Sequence, residues 1–101
     1  SETMAAVDRT TAILSGSSNQ SGSWYDWSGG TGNFYITGTI GAATVKLDAL
    51  FAGSTEVKNV GSDTDITSAN DEYVHNFQLN PCQLRATISA STGATVSAFI
   101  N

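Results

Sequence analysis

A chain of 101 residues has room for one domain, large enough to bury about 65% of its unfolded surface and to fold without disulfides or metal. Only 13% of its residues are charged, and nine acids against four bases leave a net charge of −5, so the Lys/Arg footprint that nucleic acid or an anionic membrane requires is missing. A single cysteine, Cys82, excludes an intramolecular disulfide and suits a reducing compartment.

Gly, Ser, Thr and Ala are abundant while Glu, Lys and Gln are scarce, a balance that favours strands and turns over helices. No basic segment leading into an apolar run opens the sequence, and no apolar stretch is long enough to span a bilayer, so neither a Sec signal nor a membrane helix is expected.

In chain order, Val7, Arg9, Thr11 and Ile13 alternate with Asp8, Thr10, Ala12 and Leu14. This reads as a strand or as an extended arm, and an arm pairing with a neighbouring subunit would satisfy both, because strand addition relies on backbone hydrogen bonds. Residues 15–23, SGSSNQSGS, have the composition of a flexible linker. The expected organisation is therefore an arm plus linker over 1–23 and a β-domain over 24–101. Trp24, Tyr25 and Trp27 follow the linker at once. In a strand the two tryptophans, three residues apart, would face opposite sides, so either one packs outward or the segment bends there. Such amphipathic rings serve as a protein contact or a sugar-stacking platform, or they plug the end of a core.

Phe34, Ile36 and Ile40 share one face, and Gly41 allows a tight connection to the next strand. There Ala43, Val45, Leu47, Ala49 and Phe51 alternate with polar or smaller neighbours. Residues 55–60 form a short polar edge strand guarded by Glu56 and Lys58. After the polar stretch 61–72, Tyr73, His75, Phe77 and Leu79 mark another half-buried strand, ended by Asn80-Pro81. Over 84–100 two alternating runs flank Ser91-Thr92-Gly93, the pattern of a hairpin at the centre of the domain. Seven or eight strands and no amphipathic helix point to an all-β fold, an antiparallel β-sandwich or a jelly-roll-like barrel.

Candidate chemistry is sparse. Asp63, Asp65 and Asp71, with Asn70 and Glu72, are the only oxygen-rich cluster, weak candidates for calcium. The Gly and Glu that an EF-hand loop starting at Asp63 would need at its sixth and twelfth positions are absent, so a solvated turn is the simpler reading. His75 is the single histidine and reads as a hydrogen-bonded core residue, and Cys82 as a small buried hydrophobe. A Cys–His nucleophile pair from these two is the only enzymatic arrangement on offer. No spacing selects a pair of carboxylates for glycoside chemistry, and no cofactor or enzymatic activity is expected.

Two stretches, GTIGAATVKLDALF (38–51) and LRATISASTGATVSAFI (84–100), resemble segments of small β-sandwich virion proteins of tailed bacteriophages. Such proteins show a Gly-Ala-Thr-Val-x-Leu segment, then a turn and short strand, then an Arg-containing strand ending in a Ser/Thr-Gly turn. The resemblance spans residues 38–101. It departs at Glu56-Val57-Lys58, where an aromatic often stands, and residues 1–37 have no counterpart. It implies a non-enzymatic structural protein of the virion, assembled in the host cytoplasm: a capsid decoration (cement) protein bound to the major capsid protein and homo-oligomeric, with a trimer as the expected order. The alternatives are a neck, tail or head-fibre component, or a carbohydrate-binding host-attachment module using Trp24, Tyr25 and Trp27. Partner contacts are expected at those three aromatics and at Val7, Arg9, Thr11 and Ile13 on the arm.

Overall fold

Alternation decides the layers. In the computed structural model, which describes residues 11–101 and the side chains of 14–101, nine strands form two antiparallel sheets packed face to face as a β-sandwich. They are β1 (Thr11–Gly16), β2 (Gln20–Ser21), β3 (Tyr25–Trp27), β4 (Gly30–Thr39), β5 (Thr44–Leu50), β6 (Lys58–Asn59), β7 (His75–Leu79), β8 (Cys82–Ser89) and β9 (Thr95–Ile100). The first sheet has the order β1-β9-β4-β7. In the second, β8 lies between β5 and the short edge strands β2 and β3, and β6 closes the other edge of β5.

Each long strand turns its apolar set inward. Val45, Leu47 and Ala49 of β5 and Leu84, Ala86 and Ile88 of β8 meet Phe34 of β4 and Val96, Ala98 and Ile100 of β9, all of them buried. Burying a Leu, Ile or Phe of this kind contributes about 1.5–3 kcal/mol. Most outward residues of the same strands are polar, Lys46, Arg85, Thr87 and Ser97 among them.

The terminal segment is not a hairpin. β8 lies in the second sheet and β9 in the first, so residues 90–94 cross from one layer to the other. Two runs with the same inward period can sit side by side in one sheet or face each other across the core, and these face each other. The step from β4 to β5 crosses in the same way. The two arches stack: Ala42 N donates to Thr92 O at 3.0 Å, and a Cβ placed on Gly41 would lie 2.6 Å from both Gly93 C and Thr92 O. Gly41 holds φ +57, the left-handed region that a glycine enters without a steric cost.

A third crossing, from β1 to β2, falls inside the stretch expected as a flexible linker. Residues 15–16 complete β1 against β9, and β2 pairs with β8. Short side chains hold it: Ser21 Oγ meets Thr87 Oγ1 at 2.9 Å, and Asn19 Oδ1 accepts from Ser91 N at 3.0 Å. From Thr11 onward the proposed arm is thus a strand of its own sandwich.

The polar stretch after β6 is stitched down as well. Ile66 is fully buried and exchanges two backbone hydrogen bonds with Val45, at 2.8 and 2.9 Å, covering the edge of β5 that β6 leaves open. Thr64, at the end of a short 3-10 turn (Ser62–Thr64), is buried with its hydroxyl donating to Gly61 O at 3.0 Å.

Candidate functional site

The four-residue aromatic run 24–27 enters β3 at the edge of the second sheet, and strand parity sorts it. Tyr25 and Trp27 turn inward and pack against the core. Trp27 sits 5.0 Å from the Phe77 ring, over Gly32, where any Cβ would collide with both rings. Trp24 takes the other face. Its ring lies 4.5 Å beneath the Arg85 guanidinium, whose Nε is 3.7 Å from Asp48 Oδ2. Asp48 in turn accepts from the Thr87 hydroxyl at 2.8 Å. This outer row is knitted together by its own partners, so of the three expected contact aromatics only Trp24 is presented outward. Thr11 and Ile13 lie on β1, described as backbone alone, while Val7 and Arg9 fall outside the described residues.

The other polar candidates are separated. His75 is buried, with Nδ1 2.8 Å from Asp63 O and Nε2 3.2 Å from Asn70 O, so both ring nitrogens face backbone carbonyls of the 61–74 loop. Cys82 opens β8 in the opposite sheet, paired in register with Trp27, and partial burial pushes its thiol pKa up, away from the thiolate a nucleophile needs. Asn70, the uncharged member of the acidic cluster, is consumed by the turn: its Oδ1 accepts from Thr67 N at 2.6 Å and its Nδ2 donates to Asp65 O at 3.1 Å. Among the described residues no three or more His, Cys, Asp or Glu side chains gather as a metal site.

Two surfaces remain. On the outer face of the first sheet Tyr35 of β4 and Phe99 of β9 oppose each other in register and stack, centroids 5.4 Å apart and planes 15° from parallel. Val74, one register step beyond the Phe34–His75 pair, and its neighbour Tyr73 are 56% and 64% exposed at the start of β7. Ser15, Ser97, Asn33 and Asn76 surround the stack, joined as hydroxyl and carboxamide pairs. The second surface is a pocket of about 460 Å³ at the end of the sandwich opposite the arches.

Comparison of the chain with protein-family models, curated proteins and solved structures returned no match.

Residue pattern alone did not mark the Tyr35–Phe99 pair, although a signal was present. Both are aromatic residues at positions that the alternation assigns to solvent, between inward Phe34 and Ile36 and between Ala98 and Ile100. Tyr73 was expected to extend the buried face of β7, but the strand begins at His75 and Tyr73 stands outside it.

Proposed function

We propose that the protein is a non-enzymatic structural component of a tailed-phage particle, a capsid decoration protein that seats on the shell through the outer face of its first sheet. The observation that carries the seating surface is the stacked Tyr35–Phe99 pair on that face. Stacked rings on a polar sheet face offer a partner rigid apolar area at little cost in side-chain entropy, as aromatic anchors of protein interfaces do. The phage assignment is supported by the resemblance of 38–51 and 84–100, which build β5, β8, β9 and the two stacked arches. Those segments make the scaffold, while the partner surface lies on side chains they present or flank. A protein of this kind stabilises a shell by mass action, since binding only the assembled lattice shifts the equilibrium toward it.

Particles purified on a density gradient from a host expressing the tagged protein should carry it at a fixed copy number per capsid. The double variant Tyr35→Ser, Phe99→Ser should lower that occupancy by at least tenfold while leaving the urea midpoint of the free protein within a few tenths of a molar. Failure to band with particles would overturn the virion reading, and unchanged occupancy in the double variant would overturn the surface.

A further inference from the structure

The pocket at the end of the sandwich is built from the last row of the second sheet. Asp26, Gln83 and Leu50 stand abreast in register on β3, β8 and β5, and Gln83 Nε2 donates to Asp26 Oδ1 at 3.2 Å. Beyond the row, the turn after β5, closed by Ser54 N on Phe51 O at 3.0 Å, holds Phe51 37% exposed at the pocket wall. Trp27 and Pro81 complete the apolar lining. The volume, about 460 Å³, lies within the range of small-molecule sites, roughly 300–1,000 Å³.

Two features of the lining constrain what it takes. Two aromatic side chains and Leu50 offer apolar surface. The Asp26–Gln83 pair fixes two side chains whose remaining oxygens accept hydrogen bonds. A purely hydrocarbon ligand would leave Asp26 and Gln83 unanswered. An anion would meet the Asp26 carboxylate on a chain of net charge −5.

A group with an apolar C–H face and hydroxyls at its edge meets both demands, because each hydroxyl can donate to these oxygens while its ring face covers apolar surface. We propose that this pocket binds the ring of a neutral saccharide, stacked against Trp27 or Phe51, with hydroxyls donating to Asp26 and Gln83. The site is distinct from the Tyr35–Phe99 face, which belongs to the other sheet, and it stands or falls independently of the particle assay.

The test is a titration of the uniformly ¹⁵N-labelled full chain with glucose, galactose, N-acetylglucosamine and rhamnose in turn, each to about 50 mM, enough to reveal a Kd near 10⁻² M. The spectrum of Trp24→Phe assigns the Trp27 indole N–H. At least one sugar should shift that resonance and the Gln83 side-chain amide saturably, and Phe51→Ala and Asp26→Asn should each weaken the response at least tenfold. Both substituted residues are exposed, and an otherwise unchanged spectrum reports an intact fold. No saturable shift with any of the four sugars would overturn the proposal, as would a response centred on Trp24 or one that survives Phe51→Ala.

Discussion

Replacing Gly41 by Ala tests whether the two arches are in contact. Gly41 sits at φ +57, where an L side chain costs about 1–2 kcal/mol. The new methyl would also lie 2.6–2.8 Å from three backbone atoms of Thr92 and Gly93, where ordinary contacts begin near 3.4 Å. Relieving that overlap means moving one arch away from the other, a strain of the size seen when extra atoms are forced into packed cores, about 1–3 kcal/mol. The sum is about 2–5 kcal/mol, a large part of the roughly 5–15 kcal/mol that holds a domain folded.

Gly53 and Gly93 supply the controls. Gly53 has φ +82 with nothing within 4 Å of its Cβ position, and Gly93 has φ +76 with only the Gly41 Cα, at 3.7 Å. Alanine at either should cost the backbone term alone. With a urea m-value of about 2 kcal/mol/M, a central 3.5 kcal/mol lowers the midpoint by about 1.7 M for Gly41→Ala, against about 0.7 M for each control. Equal midpoints for all three variants, at unchanged m, would show that the arches do not touch and would refute the reasoning.

Three further outcomes follow from the structure. Trp27→Ala, which empties the space between Phe77 and Gly32, should cost several times more stability than Trp24→Ala, which removes a ring–guanidinium contact of about 0.5–1 kcal/mol; thermal melts of the two variants check the ordering, and equal losses would contradict the assignment of faces. The Cys82 thiol, its pKa raised by burial, should react with iodoacetamide at pH 8 more slowly than a free cysteine. Because the folded thiol keeps its proton where the unfolded one loses it, Cys82 leaves stability flat below about pH 8.5 and lowers it as pH rises beyond. Comparison with Cys82→Ser across pH 8–10 isolates that slope, and parallel curves would refute it.

The inward faces were legible because period-two alternation survives in the sequence wherever one side of a strand meets the core. Val45, Leu47 and Ala49, or Leu84, Ala86 and Ile88, could not have been placed otherwise. Which strand neighbours which was not legible, since alternation names a face and not a partner. An arch and a hairpin present the same residues, and the Ser-Thr-Gly turn suited both. Phe51 continued the inward count on paper, yet β5 stops at Leu50 and the next residue swings around the end of the sheet, where it walls the pocket. The stretch 15–23 looked unable to order itself because its fasteners, Thr87 and Ser91, lie some seventy residues away. That Trp24 would find Arg85 while Trp27 capped the core depended on partners from β7 and β8.

The crossings have a consequence for how the chain reaches this state. Among the strand pairs of the described residues, only β5 with β6 joins neighbours in sequence, and it spans two residue pairs. Every other ladder waits for distant partners: Thr11 pairs with Ile100, Gln20 with Ile88 and Gly30 with Leu79. Beyond that short pair, the described strands offer no hairpin to zip from, and the chain must close long loops before most contacts repay their entropy, which places its folding in the slow, millisecond-to-second regime of high contact order. On a ribosome, the first sheet would remain without its second strand until residues 95–100 had left the exit tunnel, so assembly of this domain is a late, concerted event.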